Sequence, residues 1–256
     1  MERFSLPVPV TEIREIRDKL FLLSFECEQI AEKTKCGQFV HVKCSDALFL
    51  RRPISVFSVE GKTVSIVFEV RGKGTEALSK KKVGDLLDVL GPLGCGYSVD
   101  KFKGKKVWLI GGGIGIFPLY MAAAAYGMDA LAILGYKTAS LVAFDKEFAF
   151  TGARVDVVTD DGSYGEKGFV TDMFKKRLET EKPDAVFACG PMPMLKGVYA
   201  ICKENDIYCE VSLEERMACG LGACLCCATP VKMGDDTVEN LTVCRNGPVF
   251  KGSEVF

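Results

Sequence analysis

Histidine is almost missing from this chain: one, His41, stands among 256 residues, inside the alternating run Phe39-Val-His-Val-Lys43. Alternation of that kind marks a strand, so His41 reads as an ordinary strand residue rather than a catalyst. An excess of either charge is missing too. Lys plus Arg number 33 against 34 Asp plus Glu, a formal net charge of -1, which excludes the basic surplus that nucleic acid binding needs. No apolar signal segment follows the start Met-Glu-Arg-Phe-Ser, and no like-charge tail, internal repeat or low-complexity tract occurs. The cysteines lack paired spacing outside the C-terminal region, which with the absent signal points to a reducing, cytoplasmic setting. One uncharged run, residues 107–128, is long enough to cross a bilayer. Its Gly111 to Gly115 turn would break a helix, so it divides into a strand, a turn and a helix opened by Pro118, not a membrane span.

With 48% apolar residues the chain can bury cores for two domains plus a small appendage. Short alternating runs fill its first part, at residues 19–27, 37–43, 52–60, 62–70 and 86–90, split by Gly, Lys and Asp. They predict an N-terminal antiparallel β-barrel or sandwich over 1–100, with a short helix at 75–81. The charged stretch Lys101-Phe-Lys-Gly-Lys-Lys106 ends that pattern. Beyond it, strands at 107–110, 130–134, 154–159, 185–189 and 208–212 alternate with helices at 119–126, 142–148, 170–178 and 192–204. Near-continuous apolar strands between helices predict a Rossmann-like, doubly wound parallel sheet over 101–213. From Glu214 regular patterning stops, leaving 214–256 as a small cysteine-rich domain. The fold class is therefore β plus α/β.

Five of the twelve cysteines lie in the last 38 residues. Cys219-Gly-Leu-Gly-Ala-Cys224-Leu-Cys226-Cys227 is followed after sixteen residues by Cys244. Read as Cys-x4-Cys-x2-Cys and a distant fourth, this is the ligand spacing of a plant-type [2Fe-2S] cluster, a carrier of single electrons. Cys219, Cys224, Cys227 and Cys244 are the candidate ligands, and Cys226 breaks the spacing. Four thiolates also suit a structural zinc ion, and a disulfide or a set of free thiols is a further alternative. Zinc ligands usually come as two separated knuckles, whereas here three crowd one glycine-rich loop. Gly220 and Gly222 let the backbone turn its N–H groups toward sulfur. A zinc-stapled nucleotide-binding interaction module is the alternative from another class.

Gly111-Gly112-Gly113-Ile-Gly115-Ile-Phe-Pro118 falls between a predicted strand and a predicted helix. Small residues there let the backbone approach a pyrophosphate, and a helix N-terminus supplies N–H donors. Pro118 stands where the third glycine of GxGxxG would, a variant of ferredoxin-reductase-like folds more than of dehydrogenases. Cys189-Gly190-Pro191 ends another strand of the same sheet, so both turns reach the crevice beyond the strands' carboxyl ends. Asp160-Asp161-Gly162-Ser163 ends a third and reads equally as a polar turn or a cofactor contact. In the barrel, Arg51-Arg52-Pro53-Ile54-Ser55 and Gly72-Lys-Gly74-Thr75 offer an arginine and N–H groups to a phosphate and a hydroxyl to a flavin ring. Arginines at a strand start are more often simply solvated. Lys137 could meet a 2′-phosphate, so charge leaves NAD and NADP both open.

Arg52-Pro-Ile-Ser55, Gly72-Lys-Gly-Thr75, Gly111 to Pro118, Thr159-Asp-Asp-Gly-Ser-Tyr-Gly165, Cys189-Gly-Pro191 and Met217-Ala-Cys-Gly-Leu-Gly-Ala-Cys224 stand in the order found in one family. Over essentially its full length the chain resembles the electron transfer subunits of the NAD-linked, type B dihydroorotate dehydrogenases. Its first two domains resemble the ferredoxin-NADP reductase superfamily. The resemblance implies a barrel that binds FAD through Arg52, Pro53, Ile54 and Ser55, with Val67, Phe68 and Glu69 lining it and Gly74 and Thr75 on its pyrophosphate. Ile54 stands where the superfamily often has a tyrosine against the flavin ring. It further implies NAD against Gly111, Gly112, Gly113, Gly115, Pro118, Asp161, Cys189, Gly190 and Pro191, and a [2Fe-2S] cluster on Cys219, Cys224, Cys227 and Cys244. No residue is a certain catalyst, although Ser55 and Cys189 would lie near flavin and nicotinamide.

No set of residues suits oxidation of a small acid, and a TIM-barrel flavoenzyme needs about 250 residues of its own. The resemblance accordingly implies a separate FMN-containing catalytic subunit that oxidises dihydroorotate, in a heterotetramer of two plus two subunits. Electrons would pass through [2Fe-2S] and FAD to NAD+, in de novo pyrimidine (UMP) biosynthesis. The same architecture serves sulfide dehydrogenases, hydrogenases and bifurcating ferredoxin-NADP reductases, which usually lack the doubled arginine before Pro-Ile-Ser.

Overall fold

The computed structural model describes residues 2–234 and 237–256. They divide into two compact units, one of 2–96, 214–229 and 240–248, the other of 97–213, 230–234, 237–239 and 249–256.

In the first unit, β1 (Phe4–Arg17), β2 (Leu20–Glu26), β3 (Phe39–Lys43), β4 (Arg52–Glu60), β5 (Thr63–Glu69) and β6 (Leu86–Leu93) close a barrel in the order β1-β2-β5-β4-β3-β6. All its neighbours are antiparallel. Leu20, Leu23, Phe25, Val56, Ile66 and Val89, spread over four of these strands, are fully buried. Helices α1 (Glu28–Lys33) and α2 (Lys73–Ser79) interrupt the strands. The long β1 is not apparent in the sequence, because Pro7 and Pro9 interrupt its pattern and only Val8 and Val10 are buried. Its N-terminal half pairs with β6 and its C-terminal half with β2. The prolines sit in the half that pairs with β6, where a missing N–H is tolerated on the other edge.

In the second unit, β7 (Val107–Gly112), α3 (Tyr120–Tyr126), β8 (Ala130–Tyr136), α4 (Asp145–Phe150), β9 (Arg154–Thr159), α5 (Val170–Leu178), β11 (Ala185–Cys189), α6 (Met192–Glu204) and β12 (Tyr208–Ser212) alternate as expected, and a two-residue strand β10 (Glu166–Lys167), not expected from sequence, adds between β9 and α5. The sheet runs β10-β9-β8-β7-β11-β12 in parallel, so the chain winds outward from β7 and then crosses back to β11. That reversal sets the switch point between β7 and β11. Pro118 does not open an α-helix; it lies inside a 3-10 turn, Gly113–Leu119, and α3 begins after it. Among the described residues no helix is long and apolar enough to cross a membrane, and the uncharged run 107–128 is strand, turn and helix.

The tail forms further elements: β13 (Ala228–Lys232) pairs with β14 (Val238–Thr242), β15 (Val249–Lys251) adds antiparallel to β12, and α7 (Gly252–Val255) ends the chain. Residues 214–256, expected as one small domain, are shared between the two units, the cysteine loops with the barrel and 249–256 with the sheet. So few apolar side chains cannot enclose a core of their own.

Phe187 on β11 is fully buried, stacked on Tyr97 at 4.9 Å and edge-on to Phe102 at 6.2 Å. Phe187→Ala is expected to lower stability by about 3–5 kcal/mol, read as a fall in the urea midpoint with little change in slope.

Candidate functional site

The cysteine loop is built from backbone geometry. Gly220 and Gly222 take φ of +70° and +83°, which an L side chain adopts only with strain. This turns N–H groups inward: Leu221 N–H donates to Cys219 Sγ at 3.3 Å and Gly222 N–H to Cys244 Sγ at 3.1 Å. Cys244 N–H donates to Cys227 Sγ at 3.4 Å, and Val243 N–H to the Cys227 carbonyl at 3.0 Å. The turn carrying Cys244 is closed by Asn246, whose Oδ1 accepts from Thr242 N–H and Oγ1.

The thiols fall into two pairs. Cys219 neighbours Cys224, on the open side where Cys224 and Cys226 are exposed; Cys244 neighbours Cys227, both buried. Burial would raise the Cys219 thiol, but N–H groups of Leu221, Cys224 and Ala223 bring it down to about 6. Burial and the neighbouring Cys227 push Cys244 up to about 12, against the opposing Gly222 N–H. Among the described residues no three His, Cys, Asp or Glu side chains converge as ligands of one ion. Two pairs of thiols fit a cluster that takes two thiolates per iron better than a zinc ion needing all four about one centre.

The loop is seated on barrel strands. A Cβ on Gly220 would lie 2.6 Å from His41 Nδ1 and 3.3 Å from Leu93 Cδ1. His41, read from sequence as an ordinary strand residue, is fully buried with neither ring nitrogen hydrogen-bonded. Burial, then the Arg51 charge, lowers it to about 4, so the imidazole is neutral. Cys95, just beyond β6, donates its N–H to the Gly247 carbonyl at 2.5 Å, a second tie between barrel and tail.

The paired arginines divide their work. Arg51 braces the barrel: its guanidinium donates to Asp88 Oδ2 at 2.6 Å, the Asp88 carbonyl at 2.8 Å and the His41 carbonyl at 3.3 Å. Among the described residues Arg52 has only the carbonyls of Leu50 and Arg51 as hydrogen-bond partners, and it lies against Gly74, where a Cβ would collide with its guanidinium. The structure thus joins Arg52 to Gly74 in the first turn of α2. Thr75 Oγ1 is spent within that turn, accepting from Arg71 N–H at 2.9 Å. Pro53 and Ser55 are half-buried, while Ile54 is buried opposite Val40. On β5, Val67 and Phe68 are buried. Burial would raise the Glu69 carboxyl, but Arg71 at 2.8 Å and Arg17 at 3.5 Å hold it below its ordinary value.

In the second unit, Gly111 and Cys189 are direct partners at the carboxyl ends of β7 and β11. Their turns interlock through missing side chains. A Cβ on Gly111 would meet Ile116, one on Gly112 would meet Met194 Sδ at 2.7 Å, and one on Gly115 would strike the Cys189 carbonyl. Gly190 lies against the Gly112 nitrogen, Pro191 against Gly112, and Pro118 is buried beneath the turn. Around Gly113 (φ +58°) there is open space. Because α3 begins only at Tyr120, the N–H groups offered here belong to the 3-10 turn and not to an α-helix start. Asp161 Oδ1 accepts from Ser163 Oγ at 2.6 Å and N–H at 3.0 Å, and Ser163 Oγ accepts from Ala139 N–H. The Ser163 bonds lower the Asp161 carboxyl, making it part of an ordered polar turn.

The model of the iron-sulfur cluster binding domain of dihydroorotate dehydrogenase B matches residues 214–256. The whole chain is similar to electron transfer subunits of dihydroorotate dehydrogenase B (NAD(+)). It is 38% identical to that of Caldanaerobacter subterraneus subsp. tengcongensis over 99% of each chain, and 42% identical to that of Listeria monocytogenes serotype 4a over 96% of each. Among solved structures, a chain from the NADH-dependent reduced ferredoxin-NADP oxidoreductase is 30% identical with a TM-score of 0.84, over 99% of this chain and 91% of that one. A ferredoxin NADP+ reductase from Neisseria gonorrhoeae, 17% identical with a TM-score of 0.64 over 78% of this chain and 90% of its own, shares the fold.

Arg51→Ala is expected to lower stability by about 1.5–3 kcal/mol, since it removes a charge-assisted bond to Asp88, while flavin affinity stays near that of the parent protein. Arg52→Ala should do the reverse, leaving the melting temperature unchanged and weakening flavin retention about tenfold or more. Thermal melts and flavin titration of both variants separate the two roles.

Proposed function

The chain belongs to the family of dihydroorotate dehydrogenase B (NAD(+)) electron transfer subunits, and from that premise we propose that it conducts electrons from a dihydroorotate-oxidising partner to NAD+. The observation that carries this reading is the thiol quartet seated on a closed barrel, in a chain that also holds a glycine-lined crevice at the switch point of a parallel sheet. In this reading the partner contains FMN, and two copies of each subunit assemble.

Arg52 and the first turn of α2 would hold the FAD pyrophosphate, with Pro53, Ile54, Ser55 and Val67 to Glu69 along the flavin. Cys219 and Cys224 would hold one iron, Cys227 and Cys244 the other. Gly111 to Gly113, Gly115 and Pro118, with Cys189 to Pro191, would receive NAD, and Asp161 would border it. When bound, these groups supply one-electron uptake and two-electron hydride delivery.

The chain's own residues set the conditions. The N–H groups of Leu221 and Gly222, already aimed at sulfur, stabilise negative charge placed there. The missing side chains at Gly111, Gly112 and Gly115 let the backbone of the crevice approach a pyrophosphate. The open Cys219–Cys224 side is the face through which a partner would deliver electrons. The 30% identity to the bifurcating oxidoreductase chain is lower than the 38% and 42% to the dihydroorotate dehydrogenase subunits, which favours the latter chemistry.

Purified anaerobically, the protein should carry flavin absorbance, iron and acid-labile sulfide, and no stoichiometric zinc. Co-expressed with a dihydroorotate-oxidising partner, it should confer dihydroorotate-dependent NAD+ reduction. If the partner alone reduces NAD+ at the same rate, the assignment fails.

A further inference from the structure

His41 is the chain's one histidine, and its place in the fold exceeds what a core residue needs. It is fully exposed to the protein interior, with 0% of its surface in solvent, yet Nδ1 and Nε2 have no hydrogen-bond partner. A buried polar group left unpaired costs about 1–3 kcal/mol, so such a group calls for an explanation. A leucine would fill the same position on β3 without that cost.

Three contacts locate the ring. The Gly220 α-carbon is pressed against it, so closely that a Cβ would come 2.6 Å from Nδ1 and 3.3 Å from Cε1. Backbone of Arg51 and Cys219 also lies beside the imidazole, outside hydrogen-bond geometry. On the strand itself, His41 is the register partner of Pro53 on β4 and of Leu90 on β6, and its carbonyl accepts from Arg51. One residue therefore borders both the turn carrying the first cysteine ligand and the strand assigned to flavin.

We propose that His41 is a positioning residue for the iron-sulfur cluster: its imidazole, packed against the Cys219-Gly220 turn, seats that turn on the barrel wall and favours the electron-rich form of the cluster. This rests on the functional reading above. A ring N–H turned toward the cluster would stabilise added negative charge, and the dry wall behind it would keep that effect from being screened. Gly220 is the complementary half of the device, because only a residue without a side chain leaves the ring room.

The test uses the full chain, purified anaerobically with its cofactors, and compares His41→Leu, which keeps bulk without a donor, with His41→Gln, which keeps an N–H. Cluster reduction is followed by electron paramagnetic resonance during a redox titration, with iron and flavin content measured on the same samples. His41→Leu should lower the ratio of reduced to oxidised cluster at a fixed potential about tenfold, equivalent to about 59 mV for one electron. Its reduced-cluster spectrum should change, and His41→Gln should recover most of both effects. Fully loaded His41→Leu with the parent potential and spectrum overturns the proposal. Should His41→Leu lose iron, retention by His41→Gln supports the proposal, and equal loss overturns it, since shape alone would then hold the turn. Parent protein without iron and labile sulfide would instead overturn the functional reading on which the proposal rests.

Discussion

Bringing Cys219 beside Cys224 and Cys227 beside Cys244 puts sulfur partly out of water, and the rest of this tail is shaped by how that sulfur is met. Backbone N–H groups meet it, from Leu221 to Cys219, from Gly222 to Cys244 and from Cys244 to Cys227. Aiming successive N–H groups at sulfur requires left-handed backbone at Gly220 and Gly222. Those glycines in turn bring the loop flush against its surroundings, Gly220 on His41 and Leu93, Gly222 on Arg245 and Thr242. The loop is thus held against the barrel strands by backbone contacts, although it has almost no apolar core of its own.

The same economy appears where adjacent identical residues take different work. Arg51 and Arg52 alternate along β4's approach, so one guanidinium reaches across to Asp88 and the other lies over Gly74 at the start of α2. A strand's period of two separates them. The first ties three strands together, and the second is left with carbonyl partners only, a cation available to an anionic ligand.

In the nucleotide unit, close approach is again produced by missing side chains. Gly111, Gly112, Gly115 and Gly190 remove the atoms that would keep the β7 and β11 turns apart. The crossover that puts these strands side by side also puts the two turns at one edge. The last strand, β15, then joins this sheet through β12, which anchors the tail after it has served the barrel.

Much of the fold was legible in the chain. Strands β2 to β6 and the alternation from β7 to β12 follow from periodicity, because each element's pattern reflects its own burial. The long β1 was not, since its prolines and charges hide a strand whose two halves pair with different neighbours. The tail's strands were hidden because they complete ladders begun elsewhere. The grouping of Cys219, Cys224, Cys227 and Cys244 was read from spacing alone.

By itself the sequence determined the cysteine spacing, the glycine turns and the strand-to-helix change near residue 101, all consequences of local spacing and local backbone freedom. Only the tertiary structure decided that His41 meets Gly220, that Arg52 and not Arg51 faces α2, and that the tail is divided between two units. The physical reason is closure: contacts between residues far apart in the chain exist only once a barrel has closed or a sheet has crossed over, and no local pattern encodes which side chains then coincide.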